Sequence, residues 1–239
     1  MSGAVASDAP SLSAADRAAT CVVIAAFNEG PAIAEVVAGL CPGYTVVVVD
    51  DGSSDDTADA AAAAGAHVLS HVINRGQGAA LQTGITYALK LGASYVVTFD
   101  ADGQHQPSDL PALVAPIAAG DVDICLGSRF LEHADAVPLG RRVLLMGAVV
   151  FTLITSRIRL TDAHNGLRAF SRKAAEGFDI RLDRMAHASE LVDQVRASGL
   201  RYREVPVHIK YTEYSMAKGQ RSSAALRVAF DYIVGRVLR

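Results

Sequence analysis

Two carboxylates separated by one small residue carry the strongest chemical signal in the chain. The segment Val96-Val97-Thr98-Phe99-Asp100-Ala101-Asp102-Gly103-Gln104-His105 delivers Asp100 and Asp102 from an apolar run into a turn that Gly103 permits. Carboxylates this close repel one another, and a hard divalent cation with oxygen ligands relieves the repulsion. Mg2+ or Mn2+ bridging a diphosphate is the occupant this chemistry favours. The competing interpretation is an Asx-rich turn in which Asp100 caps a helix.

A second acidic cluster follows Val46 to Val49: Asp50-Asp51-Gly52-Ser53-Ser54-Asp55-Asp56-Thr57. A carboxylate at a strand end can accept hydrogen bonds from a base or ribose, which suits Asp50 and Asp51. Ser54 to Asp56 read as caps for a helix beginning near Thr57. Asn74-Arg75-Gly76-Gln77-Gly78 precedes a helix and can pass near a phosphate, although a flexible loop accounts for it equally well. Arg129, Arg141, Arg142 and Arg168 are candidate phosphate-binding cations, because guanidinium matches phosphate geometry. His187 is a candidate site group at a helix start, with a purely structural histidine as the alternative.

These residues need elements to hold them. Cys21 to Ala26, Thr45 to Val49, Tyr95 to Phe99 and Ile124 to Leu126 are continuous apolar or β-branched runs, which suit strands covered on both faces. Helical spacing occupies Pro31 to Leu40, Thr57 to Ala64 and Gly76 to Leu91. The β-α alternation predicts an α/β fold with a mainly parallel, Rossmann-like sheet flanked by helices, in which ligands bind beyond the carboxyl ends of the strands. The polar clusters sit at those ends. Further on, Arg201 to Tyr211 reads as a strand and Ser222 to Arg239 as an amphipathic helix.

At 239 residues the chain suits one catalytic domain over 21–239, preceded by a mobile leader over 1–20. A net charge of -3 argues against a nucleic-acid partner. Cys21, Cys41 and Cys125 have no metal-ligand spacing and read as reduced core thiols of a cytoplasmic protein. Val143 to Thr155 is too short to span a bilayer, yet Arg141, Arg142, Arg157 and Arg159 flank it as they would an interfacial helix at the inner membrane face. A buried helix with solvated ends explains it as well.

Several segments together resemble family 2 glycosyltransferases, in particular the dolichyl- or polyprenyl-phosphate sugar synthase branch. They are Ile24 to Glu29, Val49 to Thr57, Asn74 to Ala80, Asp100 to His105 and Gly127 to Phe130, in family order over roughly residues 20 to 210. The resemblance implies a glycosyltransferase A fold with a C-terminal acceptor-side subregion. It implies donor contacts from Ala25, Phe27, Glu29, Asp51, Asp100, Ala101, Asp102 and Lys218, and metal contacts from Asp100, Asp102 and Gln104. Arg129 would lie near the sugar or acceptor phosphate, and Arg129, Arg141, Arg142 and Arg168 would be the cations for that phosphate.

Asp162 to Phe170 resembles the family's acceptor-side turn, with Asn165-Gly166 where Ser-Gly is more usual. Tyr211 to Gly219 resembles a loop in which a basic residue, here Lys218, closes over the donor diphosphate. Asp102, Arg129 and Lys218 are thus the expected catalytic set. Ala25-Ala26-Phe27 departs from the family's Pro-Ala-Tyr, keeping ring stacking but removing a hydroxyl. The trailing membrane helices of many relatives are also missing from this sequence.

The expected activity is inverting transfer of a hexose from a GDP- or UDP-linked donor to a polyprenyl phosphate. The alternatives are a soluble transferase acting on a non-lipid hydroxyl, and a soluble nucleotide-sugar-binding subunit of a complex with a small membrane protein. An oligomer is compatible with all three. A nicotinamide-dependent oxidoreductase is disfavoured, because no Gly-x-Gly-x-x-Gly turn follows the first strand.

Overall fold

The computed structural model describes residues 11–131, 146, 147, 149, 153, 158–163, 165–182 and 186–210. The predicted apolar runs become β1 (Thr20–Ala26), β2 (Thr45–Asp50), β4 (Tyr95–Asp100) and β5 (Ile124–Ser128). Three further strands join them: β3 (His67–Ser70), β6 (Arg168–Ser171) and β7 (Tyr202–Pro206). Among the described residues they form one sheet in the order β3-β2-β1-β4-β6-β5-β7. All neighbours pair in parallel except β6, which runs antiparallel to both β4 and β5. Two reversals cancel, so β5 points the same way as β1, β2 and β4.

Successive strand residues face opposite sides of a sheet, so a run apolar at every position needs cover on both faces. Val22, Ile24, Val46, Val48 and Phe99 meet α2 (Gly30–Leu40), α3 (Thr57–Ala63) and α5 (Leu110–Ala118) on one face. Val23, Val47, Val49 and Val96 meet α4 (Gln77–Lys90), α6 (Arg172–Glu176) and α7 (Ala186–Ser198) on the other. Cys21 and Cys125 lie inside, Cys41 is half-buried, and all three are free thiols. Burial pushes Cys21 and Cys125 up to about 12.

Three expectations change. Residues 11–20 belong to the body rather than to a mobile leader: α1 (Ala14–Ala18) is capped by Ser13, Leu12 enters the core, and Asp16 accepts a hydrogen bond from the Tyr95 hydroxyl at 3.2 Å. The strand expected over Arg201 to Tyr211 ends at Pro206. The segment resembling an acceptor-side turn ends in strand β6. Of Val143 to Thr155, residues 146, 147, 149 and 153 are described, and Ser222 to Arg239 lies outside the described residues. No helix among the described residues is long and apolar enough to cross a membrane.

Candidate active site

The carboxyl ends of β1, β2 and β4 lie side by side, and the loops that leave them are tied together. After β1, Asn28 takes a left-handed conformation with φ of 53°. Its N–H donates to Ser53 Oγ and its side-chain oxygen accepts from the Ser54 N–H, both at 2.9 Å. The Glu29 N–H donates to Thr57 Oγ1 at 2.8 Å, and the Gly30 N–H to Asp55 Oδ2 at 3.1 Å. Asp55 also accepts from the Thr57 N–H and hydroxyl, and that hydroxyl bond holds its carboxyl below the usual range. The capping expected of this stretch thus falls mainly to Asp55. Phe27, at the mouth of these loops, is 43% exposed, and Ala25 is half-buried on β1 beside Asp100 of β4.

Asp51 is buried, and its carboxylate serves the chain itself. Oδ1 accepts from the Arg75 N–H at 3.0 Å and Oδ2 from the Gly76 N–H at 2.6 Å, while His71 Nδ1 lies 2.6 Å from Oδ1. His71 Nε2 in turn contacts Thr83 Oγ1 on α4 at 3.0 Å. Asp51, expected at the nucleoside, is therefore first a clamp on the Asn74-Arg75-Gly76 loop. Asp50 accepts from the Ser53 N–H at 3.1 Å and shapes its own turn.

Asp100 ends β4 with a side chain one-third exposed, at 33%. His105 Nε2 lies 2.9 Å from its Oδ2, and Gln77 Nε2, at the start of α4, donates to Oδ1 at 3.3 Å. Burial works against ionisation of Asp100, but the His105 hydrogen bond and the charge of Arg168 outweigh it, leaving the carboxyl below its ordinary value. Asp102 moves the other way, raised by burial and then by the Asp100 charge. Ala101 between them is buried. Asp102 Oδ1 accepts the Gln104 N–H at 3.0 Å, closing the turn. Gln104 is buried, and its carbonyl accepts the Lys210 N–H at 2.9 Å. The Asx turn of the competing reading is thus present at Asp102, whereas among the described residues Asp100 caps no helix.

Beside this turn lies a buried ionic cluster. Arg129, just after β5, donates from Nε to Asp162 Oδ2 at 2.5 Å. Glu204 on β7 accepts the Thr161 and Asp162 N–H groups at 2.8 and 3.1 Å, and Ser128 Oγ meets Thr161 Oγ1 at 2.6 Å. Arg168, the first residue of β6, is 4% exposed. Burial pushes its guanidinium down to about 10 against the pull of Asp100 and Asp162. Buried and within the field of two carboxylates, Arg168 is a counter-charge within the site, not the open phosphate receptor expected of it. His187 is buried at the start of α7 and adds to the positive field at Asp100. Arg141, Arg142 and Lys218 lie outside the described residues.

The spacing of motifs did not single out His71, His105, Asp162 or Glu204 as site residues. His105 and Asp162 stood inside quoted segments, and an acidic residue buried among arginines is visible only once the strands are paired. Two carboxylates suit Mg2+ or Mn2+, ions commonly held by one or two protein carboxylates while substrate phosphates and water complete the shell. No group of three or more His, Cys, Asp or Glu residues stands as an all-protein metal cage among the described residues.

An open, mostly parallel sheet with acidic strand ends at one edge defines a glycosyltransferase A fold. The same architecture occurs in the Mycobacterium tuberculosis glucosyl-3-phosphoglycerate synthase solved with Mn2+ and UDP-glucose, with a TM-score of 0.66 at 21% identity, covering 94% of this chain and 84% of that one. The family model described as glycosyl transferase family 2 matches residues 21–178, and the chain belongs to that family. It is 31% identical to a UDP-N-acetylglucosamine--dolichyl-phosphate N-acetylglucosaminyltransferase of Methanococcus voltae over 91% of this chain and 97% of the relative. It is 32% identical to a polyprenol monophosphomannose synthase of Mycolicibacterium smegmatis over 88% and 83% respectively.

Proposed function

We propose that this glycosyltransferase moves a hexose from a GDP- or UDP-linked donor to a polyprenyl phosphate, with inversion at the anomeric carbon and with Mg2+ or Mn2+ at Asp100 and Asp102. The polyprenol- and dolichyl-phosphate acceptors in the relatives' names support the acceptor class. The observation that carries the donor side is the Asp100-Ala101-Asp102 turn at the sheet's carboxyl edge, fastened to α4 through Gln77 and to the chain after β7 through Lys210.

Bond breaking leaves positive charge on the sugar and negative charge on the departing nucleoside diphosphate. A divalent ion, when bound, would supply neutralisation of the diphosphate charge. Asp102 and Asp100, with Gln104, would hold that ion, while Phe27 and Glu29 form the nucleoside end beside Ala25 and Ala101, next to the loop that Asp51 clamps. Lys218 adds a cation over the diphosphate; the segment leading to it starts at Lys210, already bonded to Gln104. Arg141 and Arg142 bind the acceptor phosphate, with Arg129, buried and paired with Asp162, adding its charge from beneath the surface; the second ionisation of that phosphate near pH 6 makes it nucleophilic without a general base. Arg168 tempers the charge of Asp100 and Asp162. The enzyme works in the cytoplasm against the inner membrane face.

Calorimetric titration of GDP, UDP, GDP-mannose and UDP-glucose, with Mn2+ and again with EDTA, tests the donor side. Metal-dependent binding of one base is the expected result, followed by hexose transfer to polyprenyl phosphate. Transfer only to a soluble hydroxyl compound would replace the acceptor assignment, and absence of binding would leave a partner-dependent subunit.

A further inference from the structure

Among the described residues, Val72 and Ile73 are the most exposed large hydrophobic side chains, at 99% and 68%. Single exposed apolar residues are ordinary on protein surfaces. These two are adjacent, at the tip of the connection between β3 and α4, and the backbone beneath them is fixed. On the near side the His71 N–H donates to the Asp50 carbonyl at 2.9 Å, and the His71 ring bridges Asp51 and Thr83. On the far side the Arg75 and Gly76 N–H groups are held by the Asp51 carboxylate. From below, Gly52 presses against the loop: a Cβ there would stand 2.9 Å from the Ile73 carbonyl carbon and the Asn74 nitrogen. A loop clamped at both ends and from beneath cannot fold Val72 and Ile73 into the core.

The tip also has a place and a charge. It leaves the carboxyl end of β3, the same sheet edge that carries Phe27 and the Asp100–Asp102 turn. Arg75, exposed two residues beyond Ile73, puts a cation next to the apolar pair. An aliphatic pair flanked by a guanidinium matches the layering of a bilayer surface, with acyl chains below phosphate headgroups. With a net charge of -3 the molecule as a whole is not drawn to an anionic surface, so attachment there needs a local apolar anchor.

We propose that the Val72-Ile73 tip, with Arg75, docks on the phospholipid bilayer and sets the catalytic edge of the sheet against the lipid surface. The inference deepens the acceptor assignment above, because a polyprenyl phosphate is reached from a bilayer. Its test requires neither donor nor acceptor.

The chain contains no tryptophan, so Val72→Trp introduces a single fluorophore at the tip. Leu91→Trp, at the end of α4 and the opposite edge of the sheet, is the control. Full-length protein is titrated with phosphatidylcholine vesicles, with and without phosphatidylglycerol. The expected result is a blue-shifted emission for Val72→Trp, quenched by brominated acyl chains, and no change for Leu91→Trp. In sedimentation with the same vesicles, the Val72→Asp/Ile73→Asp double variant should lose binding by about tenfold or more, since each aliphatic side chain left in water forfeits its transfer free energy. An unchanged melting temperature shows that the variant is folded. Vesicle binding with unshifted Val72→Trp emission, or equal binding by the double variant, would overturn the proposal, as would failure of the wild-type chain to bind vesicles. A shift at position 72 without transfer to polyprenyl phosphate would leave the docking intact and remove the acceptor assignment instead.

Discussion

Gly166 lies flat against the carboxylate of Asp100: a Cβ on Gly166 would stand 2.4 Å from both Asp100 oxygens. The approach lets the chain entering β6 close one side of the acidic turn. Gly166→Ala should displace Asp100 and cost about 1–3 kcal/mol of stability, the usual penalty of overpacking. Metal-dependent nucleotide binding should weaken at least in proportion, as read by calorimetry beside a thermal melt.

Asp102→Asn should separate function from stability. Burial and the neighbouring Asp100 charge disfavour the ionised form of Asp102, so a neutral amide relieves repulsion in the metal-free protein. Metal-dependent nucleotide binding and turnover should vanish while the metal-free melting temperature stays level or rises slightly. The wild type should show the linked pH effect. As the pH falls through the raised pKa, Asp102 takes up a proton, which stabilises the metal-free fold and weakens Mn2+ binding by up to about tenfold per pH unit.

Asp162→Ala should be among the most destabilising single changes at the site. Asp162 balances the buried Arg129 directly and supports the charge of the buried Arg168. Removing one partner of a buried pair costs about 3–5 kcal/mol. Urea unfolding measures the loss, and Asp162→Asn should recover part of it by retaining hydrogen-bonding capacity without the charge.

Lys218→Ala should slow turnover by about 100-fold or more while leaving the melting temperature in place, in line with the removal of one charge-stabilising donor from a transition state. Steady-state kinetics with the donor identified by calorimetry provide the check. An unchanged rate would detach that loop from the diphosphate.

Cys21 and Cys125 should resist alkylation in the native protein at pH 8, since burial raises both to about 12 and the thiolate is the reactive form. Above the ordinary value of 9.0 the unfolded chain releases these protons while the folded chain keeps them. Stability should therefore fall with rising pH by about 1.4 kcal/mol per unit for each thiol, until the folded pKa is passed. Mass spectrometry of alkylated peptides and alkaline melts test the two parts.

The legible part of the sequence was the part written in continuous apolar runs. β1, β2, β4 and β5 announced themselves because burial on both faces leaves no room for polar residues, and their carboxyl ends pointed to Asp51, Asp100 and Asp102. β3 escaped because it is an edge strand, with His67 and Ser70 exposed and only Val68 and Leu69 apolar. β6 escaped because Arg168 opens it, and a buried arginine looks like a surface residue until Asp100 and Asp162 are seen around it. The role of Asp51 changed for a related reason. Spacing located its carboxylate at a strand end, but its partners, the N–H groups of Arg75 and Gly76, are backbone atoms with no signature in residue type.

The antiparallel course of β6 has an architectural consequence. β5 leaves the sheet at the catalytic edge after Ser128, and because β6 is reversed, the chain re-enters the sheet at that same edge with Arg168. The connection between Ser128 and Arg168 thus begins and ends on one rim, and β1, β2 and β4 need not shift when its length or composition changes. A reversed strand thus turns the sheet into a socket, in which the connection from β5 to β6 can vary while β1, β2 and β4 stay as they were.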